Sequence, residues 1–234
     1  MRHFVIALCL FAVAAPTAGV ARTNVDDPCL EPGEKAITLR TTDGARLYGV
    51  LAGSGEAGVV LVHQYASSHC EFMPFARDLA ELGYRTLSID LRGEGFSSIG
   101  RANVTRLDRD VAAAVARLRA DGATRITLVG ASMGGTAVLA AAAWVKPRVD
   151  GVVSLSAPAR YNGLDALAAV KRSRVPVRFV VGIVDRRFAL DAQRLARAAR
   201  SKDKSILRLP GAVHGSSLLD LPRGTAFVLA FLAR

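Results

Sequence analysis

Short apolar runs alternate with amphipathic stretches along most of this chain, and that alternation predicts its elements. Val59 to His63, Thr86 to Asp90, Arg125 to Gly130, Val149 to Leu155, Val175 to Val184 and Ser205 to Leu209 are strand-length runs, most of them apolar and β-branched. Runs of this kind suit strands buried on both faces. Between them lie helical patterns at Phe72 to Leu82, Val104 to Ala120, Met133 to Val145, Leu164 to Lys171, Leu190 to Arg200 and Ser217 to Leu232. The second has apolar residues at Val104, Leu107, Val111, Val115 and Leu118, and Thr105 with Asp108 supplies a capping pair at its start. The third is rich in alanine and apolar nearly all round, so it should be buried against the sheet, with Trp144 as packing. Upstream, Lys35 to Thr41 and Leu47 to Leu51 flank the turn Thr42-Asp43-Gly44-Ala45, a hairpin signal. Together these predict an α/β fold: a mostly parallel eight-stranded sheet with helices on both faces and an antiparallel edge. No internal repeat, linker or low-complexity segment interrupts residues 22–234, which read as one domain.

The N-terminus follows a different pattern. Met1-Arg2-His3 is basic, Phe4 to Ala15 is apolar, and small residues lead to Ala21. Residues 1–21 have the form of a secretory signal peptide, so the mature chain is expected to be secreted or periplasmic. The apolar run falls short of the roughly 20 residues that a membrane span needs. Export would remove Cys9 and leave Cys29 and Cys70, either as one disulfide or as two thiols. Composition adds little to function: 51% of residues are hydrophobic, mean hydropathy is +0.28 and the net charge is +11. Such a balance can signal a polyanionic partner. Here, however, the arginines are scattered along helical patterns with no basic run or aromatic platform, so no nucleic-acid partner is expected.

Candidate chemistry lies at the carboxyl ends of the strands, where open parallel sheets form their sites. Ser132 sits in Gly130-Ala131-Ser132-Met133-Gly134, between a strand and the buried helix. A nucleophile lifted above a sheet requires a sharp turn there, with no side-chain bulk at the two flanking glycines. Asp185 follows one strand directly, and His214 follows the last by the loop Pro210 to Val213. Asp191 is a rival acid. His69, in a polar loop, is expected to be exposed to solvent. No His, Cys and Asp cluster has metal-ligand spacing, so neither metal nor cofactor is expected.

The order Ser132, Asp185, His214 resembles the α/β-hydrolase superfamily, and within it small esterase and dienelactone-hydrolase-like members. His63-Gln64-Tyr65, Asp90-Leu-Arg92-Gly93-Glu-Gly95-Phe-Ser97 and Gly211-Ala-Val-His214-Gly215 support the resemblance. It implies a Ser-His-Asp triad that cleaves carboxylic esters through an acyl-enzyme, with the N–H groups of Met133 and Tyr65 as the oxyanion hole. Gln64 departs from the pattern, because many members have glycine after the histidine. His63 is expected to brace that loop. Only Pro158 to Arg174 separates two strands where larger members insert a lid, so the cleft should be open and suit a small-molecule ester. Arg160, Tyr161, Arg186, Arg187 and Phe188 are candidates to line it. Peptidase, thioesterase or perhydrolase chemistry on the same triad, or a non-catalytic binding scaffold, are the alternatives. Oligomeric state is not legible.

Overall fold

The computed structural model describes residues 26–234, so the signal-peptide reading of residues 1–21 lies outside the described residues. The strands are β1 (Lys35–Arg40), β2 (Arg46–Ala52), β3 (Ala57–Val62), β4 (Arg85–Ile89), β5 (Arg125–Ala131), β6 (Gly151–Leu155), β7 (Arg160–Tyr161), β8 (Leu164–Asp165), β9 (Val177–Gly182) and β10 (Lys204–Leu209). The helices are α1 (Met73–Glu81), α2 (Leu107–Ala120), α3 (Met133–Ala142), α4 (Ala166–Arg172), α5 (Arg186–Ala198) and α6 (Pro222–Leu232). Eight strands form one sheet in the order β1-β2-β4-β3-β5-β6-β9-β10. β2 pairs antiparallel with both β1 and β4, and the remaining pairings are parallel.

Neighbouring residues of a strand point to opposite faces, and here both faces are buried. Val60, Val62 and Leu128 pack beneath α2 and α3, in a core that also takes in residues of α4 and α5. Val59, Leu61 and Val129 face α1 and α6. That division explains the unbroken apolar strands. It also places every strand-to-helix loop of the parallel region at one edge.

Several element ends differ from the sequence reading, each for a local reason. α2 begins at Leu107, not Val104, and Thr105 with Asp108 does not cap it. Thr105 Oγ1 bonds Asn103 Oδ1, while Asp108 Oδ2 accepts from Trp144 Nε1 at 2.9 Å. Trp144 is therefore a half-exposed hydrogen-bonding residue as well as packing. The last helical stretch is divided into a 3₁₀ turn, Gly215–Leu219, and α6, because Pro222 fits the first turn of a helix and not its interior. β9 stops at Gly182, and α5 starts four residues before Leu190.

Candidate active site

The turn at Ser132 is built by close backbone contacts. A Cβ on Gly130 would overlap Gly134 O, and one on Gly134 would overlap Val62 O and meet His63 O at 2.5 Å. Only glycine lets β3, β5 and α3 meet this tightly. Ser132 takes φ 46° and ψ −111°, a region that a non-glycine residue enters at a cost of about 1–3 kcal/mol. Its N–H donates to Leu155 O at 2.8 Å, and Thr136 Oγ1 donates to Pro158 O at 2.8 Å, so β6 and its exit loop hold the turn from the side.

His214 and Asp185 come together at the same edge. His214 Nδ1 lies 2.7 Å from Asp185 Oδ2, which also accepts from Ser156 Oγ at 2.8 Å. Asp185 is the N-cap residue of α5, yet its carboxylate makes no capping bond. Its oxygen is directed to the histidine instead. The loop bearing His214 crosses directly over the end of β9, where a Cβ on Gly182 would meet Val213 O at 2.5 Å and Gly211 O at 2.9 Å. This crossing ends β9 early and leaves Ile183 and Val184, expected in the strand, exposed on the rim. Ala131, next to Ser132, has its Cβ 3.7 Å from where a Cβ on Gly215 would sit, so the serine and histidine loops are neighbours.

Asp191 is not beside His214. It lies within α5, where Oδ2 accepts from Ala159 N at 3.0 Å and Oδ1 is 3.6 Å from Arg194.

The loop after β3 is braced as expected. His63 is fully buried, and its Nε2 accepts from Leu91 N at 3.0 Å. The remaining ring proton is then on Nδ1, which donates to Gln64 O at 2.6 Å. Among the described residues, neither Tyr65 N–H nor Met133 N–H meets an acceptor. Met133 opens α3, where the first N–H groups have no partner within the helix. Gln64 turns inward. Its buried Oε1 lacks a partner among the described residues and occupies the space that a Cβ on Gly215 would need.

His69 is the clear correction: it is fully buried. Its Nδ1 lies 2.9 Å from Asp90 Oδ1 and its Nε2 3.0 Å from Asp27 Oδ2, which also accepts from Tyr48 Oη at 2.7 Å. Burial opposes a charge on His69, but the hydrogen bond and charge of Asp90, with those of Asp27, raise its pKa above the ordinary imidazole value. Burial likewise opposes ionisation of Asp90, but His69 and the N–H groups of His69 and Phe96 lower its pKa. Cys29 and Cys70 form a disulfide beside this cluster, with Cα atoms 5.5 Å apart. Asp27, His69 and Cys70 would have metal-ligating types, but the sulfur is committed to the disulfide.

A doubly covered, mostly parallel sheet with a strained serine turn and a histidine–carboxylate pair at its loop edge defines a class of protein. The sequence profile of the alpha/beta hydrolase fold matches residues 59–196, and the chain belongs to that family. It is 30% identical over 146 residues to bifunctional epoxide hydrolase 2 of Sus scrofa, a match that covers 61% of this chain but only 25% of that protein. An esterase from Pyrococcus furiosus superposes with a TM-score of 0.72 at 19% identity, covering 85% of this chain and 91% of the esterase. An α/β hydrolase from Penicillium sp. gives 0.73 at 18% identity over 85% and 97% of the two chains.

Ser156 and the buried partners of His69 escaped the sequence reading. Ser156 carried one usable signal, a hydroxyl just past the end of the strand beside the one that delivers Asp185. Asp27 carried none, because the contact joins residues 42 apart through a segment that read as loop.

Proposed function

We propose that the chain is a secreted serine hydrolase that cleaves carboxylic esters of small molecules. Ser132 Oγ attacks the carbonyl while His214 removes its proton, and Asp185 fixes the imidazole tautomer and stabilises its cation. The tetrahedral oxyanion is received by the N–H groups of Met133 and Tyr65, each such donor being worth about 3–4 kcal/mol in the transition state. Leaving-group departure gives an acyl-Ser132, and water activated by His214 then releases the acid.

The observation that carries this reading is the 2.7 Å contact between His214 Nδ1 and Asp185 Oδ2 in a loop that adjoins the strained Ser132 turn. Met133 opens α3 directly after that serine and Tyr65 lies in the loop after β3, and both N–H groups lack an acceptor among the described residues, which supports their role. The connection from β6 to β9 holds only the β7–β8 hairpin and α4, consistent with an open cleft. Burial raises the pKa of Tyr161 in the β7–β8 hairpin, and the charge of Glu94 in the loop after β4 adds to the rise. The Cys29–Cys70 bridge supports an oxidising compartment. Among the described residues no helix is long and apolar enough to cross a membrane.

A serine-directed fluorophosphonate should label the mature protein once, and Ser132→Ala should abolish both labelling and turnover. The panel should hold short and long acyl esters, a thioester, a peptide amide and an epoxide. Ester turnover should dominate, and turnover that persists in Ser132→Ala would overturn the assignment. Expression with the full N-terminus should give an exported chain whose N-terminal sequence starts near Arg22.

A further inference from the structure

We propose that the cleft between α5 and the loop after β6 is a subsite for an anionic oxyacid group, carboxylate or phosphoryl, carried by the substrate several bonds from its scissile carbonyl. This rests on the ester-hydrolase reading above and names its substrate class. The cleft holds about 330 Å³ and is lined by Ala159 and Arg160 from the connection after β6, by Arg187, Asp191 and Arg194 from α5, and by Leu167. A pocket of this size is within the usual range for small ligands.

Three observations favour an anion. First, the charge in the cleft is unbalanced. Asp191 is committed to Ala159 N and Arg194, and Arg160 pairs with Asp165 at 3.0 Å, but Arg187 has no carboxylate partner among the described residues. Second, the unpaired cation is held close to the chemistry. The Arg187 guanidinium lies 4.8 Å from the centroid of the Phe188 ring, whose own centroid is 4.3 Å from that of His214. The Arg187 guanidinium is therefore at most about 9 Å from the centre of the imidazole. Ser156, which bonds Asp185, is three residues from Ala159 on the opposite wall, a span of about 10 Å at most.

Third, the arginines stand where the helix disfavours them. The first turn of α5 has Arg186 and Arg187 and no acidic residue, at the end where the helix dipole is positive. Arg186 also takes φ 32°, outside the relaxed helical region. The N-cap residue Asp185 is acidic, but its carboxylate makes no capping bond and is directed to His214 and Ser156. Arg186 and Arg187 repel each other and the dipole, Asp185 offsets part of that repulsion, and an incoming anion would offset more. A planar guanidinium can grip a carboxylate or phosphoryl group through two parallel hydrogen bonds.

Matched esters that differ by one terminal anionic group test the proposal: butyryl against succinyl and 3-phosphonopropionyl on the acyl side, and an equivalent pair on the alcohol side. The expected result is a kcat/KM at least about tenfold higher for an anionic member, expressed mainly in KM. Arg187→Gln and Arg194→Gln should each lower the anionic-to-neutral ratio, Arg187→Gln by about tenfold. The carboxylate and phosphonate arms identify which group is read. A ratio near one in the wild type, or a ratio unmoved by both substitutions, overturns the subsite. If neutral esters are turned over and Ser132 is labelled in that case, the ester reading survives. If no ester is turned over and Ser132 is not labelled, both fall together.

Discussion

At the scale of single residues, Asp185 Oδ2 serves two donors, His214 and Ser156, and its geometry depends on both. On the proposed mechanism, Asp185→Ala should lower kcat by about 10⁴. Asp191→Ala should leave most of the turnover of neutral esters, because its carboxylate is bonded to Ala159 N. Ser156→Ala should reduce kcat severalfold with little change in KM, and Ser156→Thr should restore part of the loss; steady-state kinetics on one neutral ester checks all four. A second residue-scale test concerns Gln64, the departure from the family pattern. Gly215→Ala should be destabilising twice over: φ at Gly215 is 62°, which costs an alanine about 1–2 kcal/mol, and its Cβ would overlap Gln64 Oε1. Gln64→Gly in that background should relieve the overlap but not the backbone strain, so urea midpoints should recover only in part. The placement of Ser132, Asp185 and His214 at one loop edge was legible because glycine turns and strand ends marked them. His69 was not, since a histidine in a polar loop looks solvated until its carboxylate partners arrive from residues 27 and 90.

Among elements, the segment before β1 is the one whose attachment the sequence left open. The disulfide and the Asp27–His69–Asp90 cluster pin it against the 3₁₀ turn His69–Phe72 that leads into α1. Asp90 in turn holds the loop after β4 through Phe96 N at 2.7 Å. Closing a loop of this length should stabilise the fold by about 2–4 kcal/mol, so a Cys29→Ser/Cys70→Ser double variant should unfold at correspondingly lower urea. His69→Gln, with the disulfide kept, removes the cation between two buried carboxylates and should cost about 3–5 kcal/mol. The pH dependence has a definite sign. His69 has a raised pKa, so its contribution is complete below its unfolded value of about 6.5 and is lost as pH climbs through the raised folded value. Asp90 has a lowered pKa, so its contribution is present above about 3.9 and is lost on acidification through its folded value. The stability gap between wild type and His69→Gln should therefore be widest between these limits and narrow in alkali; a gap that widens in alkali would contradict the charged cluster. Strand and helix cores were readable from their periodicity, but their ends were set by tertiary partners. Trp144 engages Asp108, the carboxylate expected to cap α2, and the loop that crosses Gly182 ends β9 before its apolar run does.

For the whole molecule, alternating apolar runs were enough to predict a parallel sheet covered on both faces, because a strand buried on two sides leaves no polar face to alternate with. The order in which β4 lies outside β3 was not readable, since strand order depends on which way each crossover turns and not on the composition of the strand. Net charge is likewise a property of the entire chain, and at +11 it has a kinetic consequence distinct from the arginine cleft. A positive surface attracts an anionic substrate from beyond contact range, and salt screens that attraction over a Debye length of about 10 Å at 0.1 M. For an anionic ester, kcat/KM should therefore fall as ionic strength rises from 10 to 500 mM, while a neutral ester of the same length should change little. Arg187→Gln removes one charge near the site and leaves most of the surrounding field in place. Its anionic ester should thus lose affinity at every salt concentration while keeping most of the salt slope. A slope that vanished in this single variant would place the whole electrostatic effect in one contact, and parallel lines displaced from the wild type would separate local recognition from the field of the whole surface.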